Sequence, residues 1–215
     1  MPCNCCQITD QTFGDADARA GLRRYQKRGP AGQTRAILQA IRSRGLKGAT
    51  LLDIGGGVGV IHHELMPDTV RQTTHVDASS AYLKAAEGEA ARRGHSPAVE
   101  FVHADFTDVA SDLPPADIVT LDRVVCCYPD IHALLTAAAG RSKSLLAMSY
   151  PRETWYARFV VNAMDFIQSL RRDPFRVFVH PVAEMDSLLN ANGLQRVSLK
   201  RLFFWEVALY SKTAA

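Results

Sequence analysis

The chain is predicted to be an α/β protein: a doubly wound sheet, mostly parallel, with an antiparallel C-terminal hairpin strand and a helical N-terminal lid. Three observations predict it. Short apolar runs alternate with helical patterns between residues 49 and 150, as parallel strands joined by crossover helices do. One junction, Gly55-Gly56-Gly57-Val58-Gly59, is a glycine turn between a strand and a helix. Two strand-like runs, 195–202 and 204–211, follow the last predicted helix and read as a hairpin.

Taken in order, residues 1–48 are polar and basic and read as the lid. Candidate helices over 18–25 and 30–43 flank the break at Gly29-Pro30. Residues 49–215 read as a single globular unit. Its strands are expected near 50–54, 73–77, 99–103, 117–121 and 144–149, with helices near 60–66, 80–93 and 131–139. Beyond Pro151 the spacing of Trp155, Phe159, Ala163, Phe166, Ile167 and Leu170 predicts an amphipathic helix. An extended segment over 175–180 and a helix over 182–192, ended by Gly193, precede the hairpin.

Composition sets limits. A chain of 215 residues and 23.6 kDa suits one well-buried domain. Hydrophobic content of 47% with 22% charged residues is ordinary for a globular protein. The net charge of +3, with no long basic run, argues against nucleic acid as a partner. No apolar stretch approaches the roughly twenty residues of a membrane span, and the N-terminus lacks a signal-peptide core. The default compartment is therefore cytoplasmic.

The glycine turn decides the ligand class. Leu51, Leu52 and Ile54 make a buried strand, and the glycines let backbone approach a ligand that faces the free N–H groups of the next helix. The dinucleotide pattern G-x-G-x-x-G fails from either start, since its third glycine falls at Val60 or His62. The phosphate-binding loop fails too, with Val60 and Ile61 where Gly and Lys are required. What remains, Asp53-x-Gly55-x-Gly57-x-Gly59, resembles motif I of class I S-adenosylmethionine-dependent methyltransferases. Asp77 at the end of the second strand, Ala104-Asp105-Phe106 after the third, and residues 116–130 (ADIVTLDRVVCCYPD) around the fourth are similar to the next elements of that superfamily, in the same order.

The resemblance implies a Rossmann-like fold and S-adenosyl-L-methionine as cofactor. It places Asp53, Gly55, Gly57 and Gly59 around the loop and the methionine amino group, and Asp77 with Ala78 at the ribose. Asp105 and Phe106 fall at the adenine, Leu121 and Asp122 near the sulfonium. It implies an enzyme that moves a methyl group to an oxygen, nitrogen or sulfur of a small molecule. A non-catalytic cofactor-binding regulator or partner subunit is the alternative. The layout, with Tyr128-Pro129 and the later run 175–180, is similar to magnesium-protoporphyrin O-methyltransferases, so a porphyrin is one acceptor option.

Candidates for removing an acceptor proton are Asp122, Tyr128 and His132, with Tyr150 also near a strand end. Trp155, Tyr156 and Phe159 are candidates for an apolar acceptor pocket, and Arg171, Arg172 and Arg176 for an anionic group. His62 and His63 are adjacent on one helix and point apart, so they are not expected to share a metal; one should pack and the other be solvated. Five cysteines admit two readings. Cys126 and Cys127 line the pocket as small hydrophobes, or they join Cys3, Cys5 and Cys6 around a soft metal or metalloid, which would make a thiol or metalloid methyltransferase. The expectation is the first, with no resident metal. The oligomeric state is not readable.

Overall fold

In a computed structural model the described residues are 10, 12–157, 159–161, 163 and 175–213. Among them seven strands form one sheet in the order β3-β2-β1-β4-β5-β7-β6. The strands are β1 (Ala49–Ile54), β2 (Val70–Asp77), β3 (Val99–His103), β4 (Ala116–Asp122), β5 (Ser142–Pro151), β6 (Leu194–Arg201) and β7 (Trp205–Lys212). β1 to β5 pair in parallel, while β7 lies antiparallel between β5 and β6. The predicted architecture, antiparallel hairpin included, is the one observed. β2 starts three residues earlier than expected, because Val70 already pairs with Ala49.

Helices cover both faces: α1 (Asp15–Arg28), α2 (Gly32–Arg42), α3 (Val60–Leu65), α4 (Ser80–Arg93), α5 (Phe106–Val109), α6 (Ile131–Arg141) and α7 (Val182–Ala191). Strand alternation sorts the core into two layers. Leu52, Ile54, Val119, Leu121, Leu146 and Met148 meet Leu134, Leu135 and Leu189 from α6 and α7 on one side. Leu51, Ile118, Leu145, Val207 and Leu209 meet Ile37, Ile41, Ile61 and Leu65 on the other. The second helix of the N-terminal segment thus buries its apolar stripe in the core of the sheet.

Register places the polar residues. Asp53 stands opposite His75 of β2 and Thr120 of β4, so the three share the face covered by α3. Asp53, Asp77 and Asp122 come at or beside the carboxyl ends of β1, β2 and β4, where a doubly wound sheet opens its crevice.

Candidate functional site

That crevice is a cavity of about 500 Å³, large enough for a nucleoside-sized ligand and a second small molecule beside it. Its floor is the glycine loop. Gly57 has φ +57°, which a side chain would strain, and its N–H donates to Asp77 Oδ2 at 2.8 Å. Asp77 Oδ1 accepts the Ser79 N–H at 2.8 Å, so one carboxylate fixes both the loop and the start of α4. Burial pushes the Asp77 carboxyl above its usual range, against those two hydrogen bonds. Asp105 caps α5, its Oδ1 accepting from the Thr107 N–H and hydroxyl, and burial raises it as well.

Of the predicted cofactor residues, Gly55, Gly57, Asp77, Ala78, Asp105, Phe106 and Asp122 line this cavity. Asp53, Gly59 and Leu121 do not. Leu121 is fully buried in the core layer behind the cavity lining, and Gly59 takes the left-handed conformation that starts α3. Asp53 is fully buried beneath the loop, where its Oδ1 accepts the Thr120 hydroxyl at 2.7 Å. Burial drives its carboxyl upward.

The proton-acceptor candidates separate. Asp122 lines the cavity with both oxygens engaged: Oδ1 accepts from Ser149 Oγ at 2.6 Å and Oδ2 from Thr34 Oγ1. Tyr128 also lines it, and its hydroxyl is buried without a hydrogen-bond partner. His132 lies outside: it is exposed and pairs with Glu184 at 2.8 Å across α6 and α7, because helix periodicity turns it away from the strand ends. Tyr150 packs in the core.

Other expectations are corrected. Trp155 and Phe159 are 81% and 68% exposed, and Tyr156 stacks on Phe203. The aromatic wall is built instead from Phe13, Tyr82, Phe175, Phe204 and Trp205. Phe13 meets Tyr82 and Phe175 edge-on at 6.1 and 5.1 Å. These rings come from four distant segments, which no local pattern announces. His62 and His63 are both buried, neither solvated, since His75 and His95 from other elements meet them. Burial lowers His62 and His75 to about 3 and His63 to about 2, so all three imidazoles are neutral at pH 7.

Cys126 and Cys127 both face the cavity, their sulfurs 3.9 Å apart. The hydrogen bond between them raises the Cys126 thiol and lowers that of Cys127. Arg123, just before them, holds φ +63°, and its carbonyl lies 3.5 and 3.4 Å from the two sulfurs, within reach of the thiol that does not donate to the other. Phe178 and His180 bind this loop to the 175–180 segment through Cys126 O and Tyr128 O, at 2.7 and 2.9 Å. Cys3, Cys5, Cys6, Phe166, Ile167, Leu170, Arg171 and Arg172 lie outside the described residues.

Comparison with known proteins fits this geometry. Residues 52–143 match the family model described as a methyltransferase domain. The matched stretch carries the glycine loop, Asp77, Asp105, Asp122 and the cysteine pair. No curated protein matches the sequence. Magnesium protoporphyrin IX methyltransferase from Synechocystis PCC 6803, solved with bound SAH, is similar in structure at a TM-score of 0.74 and 17% identity, covering 97% of this chain and 100% of that one. A methyltransferase from Haloferax volcanii, in complex with the Trm112 activator, matches at 0.71 and 15%, over 96% and 98%. The cyclase SpnF matches at 0.70 and 13%, over 96% and 95%, so this fold also hosts chemistry named otherwise.

Proposed function

We propose that the protein is an S-adenosylmethionine-dependent methyltransferase acting on an oxygen, nitrogen or sulfur atom of a small, largely apolar molecule. The observation that carries this reading is the cavity at the strand ends, in which the glycine loop, Asp77 and Asp105 with Phe106 meet an aromatic wall. The cofactor fits these residues: a floor of glycine backbone, a carboxylate at the ribose distance in sequence, and an acid beside an apolar ring. When bound, it supplies an electrophilic methyl group on a positively charged sulfur. Asp77 and Ala78 would hold the ribose, Asp105 and Phe106 the adenine, and Gly55, Gly57 and Asp122 the methionine side. Gly59 and Asp53 shape the loop from below, and Leu121 supports Asp122 from the core.

Asp122 is held by two hydroxyl donors, which suits positioning better than proton removal. Tyr128 is the better candidate to bind or deprotonate the acceptor, because the residue lines the cavity and its buried hydroxyl has no hydrogen-bond partner of its own. Much of the rate would come from alignment of acceptor and methyl group in a site closed to water. Phe13 lining the cavity, with the Ser79 hydroxyl donating to Phe13 O at 2.7 Å, supports the start of the 1–48 segment as a cover, whereas its second helix belongs to the core of the sheet. Among the described residues no helix is long and apolar enough to cross a membrane.

The test is calorimetry with S-adenosylmethionine, followed by S-adenosylhomocysteine release over a panel of phenols, amines, thiols, carboxylates and a magnesium porphyrin. Binding without turnover on any acceptor favours the regulator reading. The paired thiols in the cavity favour one second reading, a thiol or metalloid acceptor, tested by adding trivalent arsenite to the panel.

A further inference from the structure

Beneath the glycine loop three buried side chains from three elements converge. Asp53 comes from β1, His75 from β2 and His62 from α3, and all three are 0% exposed. The two histidine Nδ1 atoms are 3.3 Å apart. Asp53 Oδ2 lies 3.6 Å from His62 Nδ1 and 3.9 Å from His75 Nδ1. That oxygen has no hydrogen-bond partner, although the site is sealed from water. An orphan carboxylate oxygen in such a place is costly, and a hydrogen bond between the two imidazoles leaves it orphaned still.

The spacing has a simple geometric meaning. A triangle with these edges has a centre about 2.1 Å from every corner, the bond length of zinc to imidazole nitrogen and carboxylate oxygen. One cation there would engage all three donors at once. The geometry points to a structural metal site for a borderline divalent transition ion such as Zn²⁺, held by Asp53 Oδ2, His62 Nδ1 and His75 Nδ1. Two imidazoles and one carboxylate are the donor set that such ions take over magnesium or calcium.

The surroundings are those of a built site. Thr120 donates to Asp53 Oδ1 and fixes the carboxylate's rotation, as outer partners of metal ligands do. Gly56 closes over the triad: a Cβ there would lie 2.6 Å from His75 Nδ1 and 2.7 Å from Asp53 Oδ2. His63 is not a ligand, because its Nδ1 faces His95 Nδ1 at 3.1 Å. The ion would pin β1, β2 and α3 together directly under the loop. This role is independent of whether the cavity above transfers a methyl group.

The experiment uses the full chain with any oligohistidine tag removed. Elemental analysis after purification without chelator should find close to one equivalent of zinc or a similar ion. Chelator should lower the melting temperature, and Co²⁺ added to the stripped protein should give the visible absorption of low-symmetry imidazole and carboxylate ligation. His75→Ala and His62→Gln should each reduce metal content at least tenfold, while His63→Gln and the double Cys126→Ser, Cys127→Ser variant retain it. Should the histidine variants fail to fold, the wild-type Co²⁺ spectrum decides alone. A thiolate-to-cobalt charge-transfer band, metal that follows the cysteines, or a folded wild type that takes up neither Zn²⁺ nor Co²⁺ would overturn the site.

Discussion

Replacing Asp77 by Ala should damage stability and cofactor binding by separable amounts. In the folded protein its carboxylate accepts the Gly57 and Ser79 N–H groups, each at 2.8 Å, at only 7% exposure. A hydrogen bond to a charged group is worth about 1.5–3 kcal/mol, so the pair has a gross value of about 3–6. Burial opposes this by disfavouring the ionised carboxyl, and the net loss of stability without ligand should be about 2–3 kcal/mol. Asp77→Asn keeps one acceptor oxygen and should lose about half as much. Ribose hydroxyls on the same carboxylate add a second loss of about 1.5–3 kcal/mol, a Kd for S-adenosylmethionine some 10- to 150-fold weaker. Thermal unfolding without ligand reads the first quantity and calorimetry of the folded variant the second. An Asp77→Ala protein that melts early yet binds the cofactor with unchanged affinity would refute the ribose role. Binding of NAD by the wild type would refute the cofactor.

Gly57→Val should abolish cofactor binding, seen by calorimetry, while circular dichroism shows an intact sheet. The new side chain has room toward Tyr82 at 3.6 Å, but it is strained at φ +57° and enters ligand space. Tyr128→Phe should leave cofactor affinity within about twofold and cut turnover by about 10²-fold if the hydroxyl handles the acceptor proton, measured as S-adenosylhomocysteine release. Replacing Cys126 and Cys127 by Ala should cost about 1–3 kcal/mol in unfolding and leave transfer to a good acceptor largely intact. In the wild type Cys127 should alkylate before Cys126, read by mass spectrometry, since its thiol is the lowered one. Glu89 is held down to about 2 from 4.5, first by the Arg92 hydrogen bond and then by Arg93 and Gln26. A depressed carboxyl stabilises above its unfolded pKa and loses that contribution as pH falls through the folded one. Glu89→Gln should therefore cost about 2 kcal/mol at pH 7, discounted for exposed Arg92, and nothing near pH 2 in acid-unfolding curves.

The sheet was legible because each strand carries its own signal: Leu51, Leu52 and Ile54 are a buried run, and glycines follow at once. Asp77 and Asp105 were legible because a strand-end acid at the right distance from the loop is a local pattern. The interior of the site was not. Thr34 reaches Asp122 across 88 residues, and Phe13 meets Phe175 across a longer gap, pairings that exist only once the sheet is wound. His62 and His63 misled for the same reason. Helix periodicity says that neighbours point apart, yet these two rings meet edge-on at 4.1 Å, and each also finds a histidine from elsewhere. His132 was misplaced because nearness to a strand end in sequence does not say which way a helix turns its first residues.

β7 lies between β5 and β6, so the sheet is completed by a strand made after both its neighbours. During synthesis, β6 leaves the ribosome with no partner, and the flank of β5 stays open until residues 205–212 arrive. Phe204 and Trp205 enter with that same strand and line the cavity. A nascent chain halted near residue 200 would thus present an open, aggregation-prone sheet edge and an unfinished pocket wall together. The pocket has its full wall only when β7 has closed that edge, which ties completion of the wall to completion of the sheet.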